Sequence, residues 1–412
     1  MNFKVRLRTC AWLLGCICSL SSWAHDSITT ETRQRFILTL QQTQQMLVSS
    51  TSGYAQLSTT GKEFWLGFME NNRSLPATPD FAVILVTATE NTTGVIEYLG
   101  QTTPFSLTAG QQFTFRLSSA TLDLLHRSSG VIENLGIHIT ASGKIAVHAI
   151  NERYRSADGT VVLPLTALGK DHYITSHFEV NPSGNLNINN ESTLLVVATE
   201  DNTRVEITLT ENSVSGQFKG APFEITLNRG QSYQIKARGD LTGSRARVVG
   251  SNADDCKKIA VYGGNKWVSV GACGQANDHL YQQAYPVNTW GTSFVHTALL
   301  GRSSGELVKV LASEDNTEVR INGILQTKVL NRGEWMSLEF GANESGKIDT
   351  SNPASVTVFS KSQACNKSTD PFFNNGDPFM ITYSPTEQLL TQLDFNAYSL
   401  PSIVNHYVNI VV

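Results

Sequence analysis

The chain contains the stretch Leu194-Leu195-Val196-Val197-Ala198-Thr199-Glu200-Asp201-Asn202-Thr203-Arg204-Val205-Glu206-Ile207 and repeats it, with few changes, as Val308-Lys309-Val310-Leu311-Ala312-Ser313-Glu314-Asp315-Asn316-Thr317-Glu318-Val319-Arg320-Ile321. A third, weaker copy contains Ala88-Thr89-Glu90-Asn91-Thr92-Thr93-Gly94-Val95. Ala88, Ala198 and Ala312 are therefore equivalent positions, and they lie 110 and 114 residues apart. A period of this length exceeds that of a solenoid repeat and suits a whole small domain.

The repeated phrase Glu-Asp-Asn-Thr predicts a tight polar turn between two strands. Val and Ile favour strands, while Asp and Asn bond their own backbone in turns and tolerate left-handed geometry. We therefore expect a hairpin at each copy. The Glu and Asp of each copy admit two interpretations, solvated turn chemistry or a carboxylate cluster for a cation. A calcium loop supplies ligands at several alternating positions, whereas each copy offers one acidic pair, which favours the turn.

Other signals recur around each copy. A short stretch that begins with glycine and leads into a predicted strand precedes each copy. These stretches are Gly61-Lys62-Glu63-Phe64, Gly169-Lys170-Asp171-His172-Tyr173 and Gly291-Thr292-Ser293-Phe294. Short strands at such spacings, punctuated by Pro and Gly, are typical of antiparallel sandwiches. We predict an all-β fold of tandem antiparallel β-sandwich-like modules with a short N-terminal helical or extended lead. The predicted modules span residues 61–163, 164–286 and 287–384, and residues 385–412 form a partial module or a strand that closes a neighbouring sheet edge.

Residues 1–24 predict an export signal. Lys4, Arg6 and Arg8 precede an apolar stretch from Cys10 to Leu20, and small residues around Ala24 suit signal peptidase. A lipoprotein signal at Cys16 is the alternative. Residues 25–60 would then form the lead, and we expect the mature chain to be secreted or at the cell surface, or periplasmic in a Gram-negative source.

The composition argues against two classes of partner. Without residues 1–24 the chain has 28 Lys and Arg against 35 Asp and Glu, with no basic stripe. We therefore expect no nucleic acid partner. No later stretch holds about eighteen consecutive apolar residues, so we expect no integral membrane segment.

Three cysteines remain after signal removal, Cys256, Cys273 and Cys365. An odd number in an exported protein leaves one thiol free or paired between chains. Cys256 and Cys273 flank a strand-like run and a glycine-rich turn, so we predict a disulfide between them. Zinc binding is the alternative, but neither a Cys-x-x-Cys nor a paired His spacing accompanies them. We predict no metal and no cofactor.

Several stretches carry a family resemblance. They are Gly61-Lys62-Glu63-Phe64-Trp65-Leu66-Gly67-Phe68, Asp158-Gly159-Thr160 followed by Leu163-Pro164, Asp240-Leu241-Thr242-Gly243-Ser244, and Asp278-His279-Leu280 followed by Trp290 and Gly291. In this order, across roughly residues 61–412, they resemble the IgG Fc-binding protein N-terminal domain family. That family occurs in secreted mucus-associated proteins of animals and in exported or surface proteins of bacteria. The resemblance implies an extracellular binding or structural module rather than an enzyme.

Asp278 and His279 form the most notable polar pair. A His beside an Asp can act as a base, as a metal ligand or as a buried strut. No nucleophile and no second carboxylate stands at a readable spacing, which favours a structural His. Asp240, Trp65 and Trp290 complete the residues that we single out. The aromatic side chains suit packing between modules or a face that binds protein or sugar.

The function that we predict is extracellular binding or surface structure, with a protein or glycoprotein ligand and with glycans as a further candidate partner. The alternative is an exported carbohydrate-active or hydrolytic enzyme centred on Asp278 and His279. An open cleft in which this pair meets another acid would favour the enzyme. A buried His279 with satisfied nitrogens would favour the structural interpretation.

Overall fold

The computed structural model describes residues 2–6, 58–72, 78–180, 190–250, 256–273, 276–374, 376–389, 392–396 and 408–411. Within these residues the chain forms β-strands joined by turns and short 3-10 helices, without any α-helix. The all-β prediction is confirmed. Most of the predicted export signal and almost all of the lead lie outside the described residues. In the described ranges no helix is long and apolar enough to cross a membrane.

The strands form three sandwich-like units and one separate pair. The separate pair joins β1 (Asn2–Arg6) to β25 (Gln392–Asn396). The first unit contains β2 (Thr60–Leu66), β3 (Asp80–Ala88), β4 (Thr92–Tyr98), β5 (Gln101–Leu107), β6 (Gln112–Ser118), β7 (Val131–Glu133), β8 (Ile137–Arg153) and β9 (Ser156–Val162). The second contains β10 (Asp171–Tyr173), β11 (Ser192–Ala198), β12 (Thr203–Thr208), β13 (Phe223–Leu227), β14 (Ser232–Ala237), β15 (Arg245–Val248), β16 (Ile259–Val268) and β17 (Asp278–Gln283). The third contains β18 (Gly291–His296), β19 (Glu306–Ala312), β20 (Val319–Ile321), β21 (Ile324–Leu325), β22 (Trp335–Phe340), β23 (Gly346–Ser360) and β24 (Met380–Thr382).

Each unit has two antiparallel layers. In the first unit the long strand β8 belongs to both layers, because its first half pairs with β2 and β4 and its second half with β3 and β9. Strand β23 does the same in the third unit, between β18 and β20 on one side and β19 and β24 on the other. In the second unit two shorter strands, β15 and β16, replace this long strand, so its layers are separate sheets.

The repeated phrase is a crossover between layers, and the hairpin prediction is wrong. Strand β11 ends before the phrase and β12 begins after it, but β12 pairs with β13 and β15 and not with β11. The reason is that both edges of β11 are already occupied, by β14 and β16. The chain therefore has to leave that sheet, and Asn202 makes the bend with a φ of 53°. Asn316 does so in the third unit with a φ of 58°.

The three copies of the phrase occupy matching settings. Ala88, Ala198 and Ala312 are all buried at the end of a strand. The carbonyl of each accepts a hydrogen bond from a glycine N–H, at 2.7 to 2.9 Å, and the partners are Gly110, Gly230 and Gly333. The Asp of the phrase caps the same glycine turn, because Asp201 accepts from the N–H of Arg229 and Asp315 from that of Arg332. This use of the carboxylates is turn chemistry.

A proline-led 3-10 turn follows each unit and packs back on the start of that unit. Pro164, Pro286 and Pro385 precede the turns Leu165–Ala167, Val287–Thr289 and Thr386–Gln388. Each proline ring lies against a glycine at the start of the unit, where a Cβ would overlap it; these glycines are Gly61, Gly169 and Gly291. The proline therefore requires glycine at that position.

The units share their cores to different degrees. The core of the first unit continues into the second through Leu195, Val197 and Tyr262, so β11 is buried on both faces. A separate core fills the second unit, and another fills the third. The three module boundaries that we expected from the sequence remain predictions. Residues 408–411 are not a strand, although Asn409 contacts Thr297, so the predicted closing strand lies largely outside the described residues.

Candidate binding groove and unit boundaries

Asp278 and His279 open β17 and are buried. Asp278 Oδ1 accepts hydrogen bonds from the backbone N–H of Ala157 at 2.9 Å and of His279 at 2.7 Å. His279 Nε2 lies 3.0 Å from the amide nitrogen of Asn151, while Nδ1 faces the backbone of β16 without a well-aligned hydrogen bond. Burial lowers the pKa of His279 to about 4 and raises that of Asp278 well above its ordinary value.

This environment lacks the open cleft that a hydrolytic centre needs. Asp278 is 6% exposed and His279 0%, and neither lines the described cavities of about 1030, 670 and 330 Å³. In the same part of the chain, no group of three or more His, Cys, Asp or Glu side chains is arranged to hold a metal ion. The burial of the pair favours a structural role, but the expected hydrogen bond at His279 Nδ1 is not formed, so only one half of that expectation is met.

Asp158 joins all three units at one point. Its Oδ2 accepts hydrogen bonds from the N–H of Tyr281 on β17 at 3.0 Å and of Met380 on β24 at 3.4 Å. Its own strand, β9, belongs to the first unit. Burial raises the pKa of Asp158 to about 8, against the opposing effect of three backbone N–H donors. The sequence offered Asp158 only as part of a family resemblance.

Trp65 and Trp290 both lie at boundaries between units. Trp65 is 3% exposed, stacks on His138 with ring centroids 4.1 Å apart, and lies under the Arg229 guanidinium at 5.2 Å. Trp290 is equally buried and donates its indole N–H to the carbonyl of Tyr285 at 3.0 Å. Neither ring is presented to solvent, so they pack units together.

Asp240 fastens the second unit to the third. Its Oδ2 lies 2.5 Å from Nζ of Lys309, which is buried on β19. Lys309 also donates to the carbonyl of Ser176 at 2.7 Å and lies 4.2 Å from the ring of Trp335. Burial lowers the pKa of Lys309, while Asp240 opposes that change.

The predicted Cys256–Cys273 disulfide is wrong. Cys273 pairs with Cys365, with their Cα atoms 5.2 Å apart, and Cys256 is free and exposed. The sequence suggested a staple within one loop, whereas the fold brings the loop after β16 against the 3-10 turn Gln363–Cys365 after β23. The bond therefore links the second unit to the third.

The boundary between the first and second units is filled by buried charge and by a strand. Glu70 of the first unit lies 2.7 Å from Lys236 and 3.2 Å from Lys266, and Lys266 lies 3.0 Å from Glu191. All four side chains are nearly buried. Strand β7, which the first unit supplies, pairs with β14 and becomes the edge of the second unit's sheet. These residues do not line the described cavities of about 1030, 670 and 330 Å³.

The boundary between the second and third units contains a groove of about 1030 Å³. Its lining includes Tyr173 and Arg245 from the second unit and Arg332, Trp335 and Ser337 from the third. The two backbones approach most closely beneath it, where a Cβ on Gly243 would overlap the carbonyl oxygen of Gly333. The open space therefore lies between two units that are held together at its base.

The groove combines aromatic and charged side chains. Trp335 is half-buried, and Arg332 and Lys328 are exposed. Arg245 is held by Asp171, with its guanidinium 2.5 Å from the carboxylate and 5.2 Å from the Tyr173 ring. Rigid aromatic faces beside charged groups are typical of surfaces that bind proteins or sugars.

Of the residues singled out from the sequence, Asp240 alone lines this groove. Arg332 and Trp335 were not selected as site residues. One signal in the sequence points to them: Leu330-Asn331-Arg332-Gly333 repeats Leu227-Asn228-Arg229-Gly230. The repeat identifies equivalent turns, but only the fold shows that one turn meets a filled boundary and the other an open one.

Comparison with known proteins gives a family match. The family described as IgGFc binding protein matches residues 158–412, which is more than half of the chain. The human IgGFc-binding protein is 25% identical over 295 residues. That alignment covers 69% of this chain and 5% of the human protein, so the chain spans a small part of its relative's length.

Solved structures resemble the chain only weakly. One is described as a Ca²⁺-stabilized adhesin that helps an Antarctic bacterium reach out and bind ice; it has a TM-score of 0.13 and 12% identity, and the match covers 80% of this chain and 74% of that one. An anti-sigma factor domain-containing protein has a TM-score of 0.13 and 10% identity, covering 70% of this chain and 99% of that one. At these TM-scores neither likeness bears on the fold.

Proposed function

Because the chain belongs to the IgGFc binding protein family, we propose that it is an extracellular binding protein that recognises a protein or glycoprotein ligand through its β-sandwich-like units. The observation that carries the proposal is the groove between the second and third units. It is large enough for a peptide or a short sugar chain, and Trp335 and Arg332 line it.

The groove also has the rigidity that a binding site requires. The Cys273–Cys365 disulfide and the Asp240–Lys309 ion pair hold its two sides together. A preformed site loses little conformational entropy when a ligand binds. Antibody is the ligand in the name of the human relative, and we do not extend that ligand to this chain.

The test is an array of extracellular proteins, glycoproteins and free glycans, probed with the chain that lacks residues 1–24. We expect binding to a defined set of proteins or glycoproteins. Trp335→Ala should weaken that binding by about tenfold or more, since buried aromatic anchors dominate interfaces. Trp267→Ala is the matched control, because Trp267 is half-buried in the second unit and lies outside the groove.

Two results would contradict the proposal. The first is an array on which the chain binds no protein or glycoprotein. The second is equal loss of binding in the Trp335 and Trp267 variants, which would place the ligand elsewhere. Activity of the chain on a glycan or ester substrate, lost in Asp278→Ala, would support the enzyme alternative instead.

A further inference from the structure

Strands β14 and β22 are equivalent in the second and third units. Each begins two residues after the glycine of the repeated Leu-Asn-Arg-Gly turn. Each pairs with the strand that precedes the repeated phrase, β14 with β11 and β22 with β19. Ser232 therefore corresponds to Trp335, and Gln234 to Ser337.

The outer edge of β14 is occupied by the chain's own strand β7. Val131, Ile132 and Glu133 lie opposite Gln234, Tyr233 and Ser232 in antiparallel register. The carbonyl of Gln234 accepts from the N–H of Gly130 at 2.8 Å. With this cover in place, every residue of β14 is buried.

The outer edge of β22 is not occupied in the described residues. Sheet order places β22 at the end of its sheet. The carbonyl of Glu334 accepts a hydrogen bond from the N–H of Ala312 on β19. Because the backbone groups of successive strand residues point to alternate sides, those of Trp335, Ser337 and Glu339 point away from β19, toward the open edge. Ser337 and Glu339 are exposed, and Nζ of Lys328 donates to the carbonyl of Trp335 at 2.9 Å.

The groove runs along this open edge. Trp335, Met336 and Ser337 line it, and these positions correspond to the three residues of β14 that pair with β7. Two connections account for the covered edge of β14. One is the loop between β12 and β13 of the same unit, in which Val214 donates its N–H to the carbonyl of Lys236 at 2.9 Å. The other comes from the preceding unit. Residues 119–136 of the first unit form a long loop that includes β7, whereas residues 238–244 of the second unit form a short turn between β14 and β15.

We propose that the groove takes an extended peptide segment of a partner protein, which adds to β22 as an antiparallel edge strand in the position that β7 holds on β14. This inference rests on the proposed function and names the class of its ligand. Backbone hydrogen bonds to an exposed edge supply affinity, and pockets for alternate side chains supply specificity. The pairing of β7 with β14 is the template for how the peptide would pair with β22.

The same register sets the peptide's chemistry. In the occupied edge, Glu133 lies opposite Ser232, next to the turn that carries Arg229. The corresponding peptide residue in the groove lies opposite Trp335, beside Arg332 and Lys328. An acidic residue is favoured there by these two cations. The peptide is therefore expected to carry Asp or Glu at the residue opposite Trp335.

The probe is a phage-displayed library of random linear dodecapeptides, selected on the chain that lacks residues 1–24. Selected sequences should share an Asp or Glu at one fixed position. Ser337→Pro removes one outward N–H on an exposed edge, where proline is tolerated, and should weaken binding of the selected peptides by at least about tenfold. Ser337→Ala keeps the N–H and should bind as the unchanged chain does.

The matched control for proline itself is Thr114→Pro on β6. That strand is also a sheet edge, and Thr114 is exposed, but it does not line the groove. This variant should keep full peptide binding. A second test leaves the protein unchanged and N-methylates the peptide at successive residues. Binding should be lost at alternate positions, because alternate residues of a strand face its neighbour.

Three results would overturn the inference. These are failure to select any peptide, equal binding by the Ser337→Pro and Thr114→Pro chains, and equal loss at every N-methylated position. The array distinguishes these failures from failure of the proposed function. If the Ser337→Pro chain still binds its array ligands, the binding function stands and strand addition is wrong. If array binding requires only free glycans, the groove is a sugar site instead.

Discussion

The two boundaries between units are built from the same parts but differ in what fills them. At the first, Arg229 lies over Trp65 and the turn at Gly230 is covered by the first unit's loop. At the second, Arg332 stands in the equivalent turn beside Tyr173, and a groove remains. The residues of the two equivalent turns therefore do not determine whether the boundary is filled or open. The connections differ: the long loop of the first unit covers the edge of β14, whereas the short turn of the second unit leaves the edge of β22 open within the described residues.

Removing one charge from the filled boundary should have the largest effect on stability. Glu70→Ala should lower the free energy of unfolding by about 3–5 kcal/mol, because two buried lysines lose a partner. At the open boundary, Glu334→Ala removes an exposed carboxylate whose one described side-chain contact is the hydrogen bond from the Asn331 N–H, and should cost about 0.5–1.5 kcal/mol. Urea titration followed by fluorescence measures both. Equal costs would show that the two boundaries do not differ in packing.

The disulfide should matter next, because it links the second and third units across the open boundary, where no strand is shared between the two units in the described residues. Removing it by Cys273→Ser together with Cys365→Ser should cost about 2–4 kcal/mol. Cys256→Ser is the control and should be neutral, since Cys256 is exposed and free. In the chain that lacks residues 1–24, alkylation without reduction should modify Cys256 alone. Modification of Cys365 instead would return the pairing to Cys256 and Cys273.

The joint at Asp158 makes the contact of all three units depend on pH. Its pKa in the folded chain, about 8, lies above the ordinary value of 3.8, so folding favours the protonated form. The stabilisation is complete below about pH 4 and is lost as the pH rises to about 8, with a slope of at most about 1.4 kcal/mol per pH unit. The difference in unfolding free energy between the native chain and Asp158→Asn should therefore fall over this range. A pH-independent difference would contradict it.

Arg229 and Arg332 occupy equivalent turns, and replacing them should give the smallest difference in stability between the two boundaries. Arg229→Ala removes a cation from the face of Trp65 and should cost about 0.5–1 kcal/mol. Arg332→Ala should leave the melting temperature unchanged within error, because Arg332 is exposed beside the groove. Its effect should appear in ligand affinity instead. A larger loss of stability from Arg332→Ala would mean that the groove is part of the packed interface.

The sequence predicted the class of fold because local chemistry determined it. Val and Ile runs marked strands, and the glycine and proline signals marked close backbone contacts, as the contacts of Gly61 with Pro164 and Gly169 with Pro286 show. The hairpin error had a different cause. A tight turn indicates a reversal of direction, but only the occupied edges of β11 determine that the next strand enters another layer.

The binding site was harder to predict because it depends on a sheet edge that no other strand covers in the described residues. Arg332 has a close counterpart in Arg229, and Trp335 corresponds to Ser232. Neither residue type shows by itself whether the neighbouring sheet edge is covered or open. Asp278 and His279 attracted attention through their chemistry, yet both are buried between strands. The disulfide prediction was wrong for a related reason. Cys365 is distant in sequence from Cys273, and only the fold brings the two cysteines together.

Amide hydrogen exchange on β14 and β22 tests the central claim most directly. In the free chain, the outward amides of Gln234 and Lys236 should be protected, because β7 and its flanking loop cover them. Those of Ser337 and Glu339 should exchange rapidly and become protected when a selected peptide is added. Protection of Ser337 and Glu339 in the free chain, or no change when peptide binds, would contradict the account.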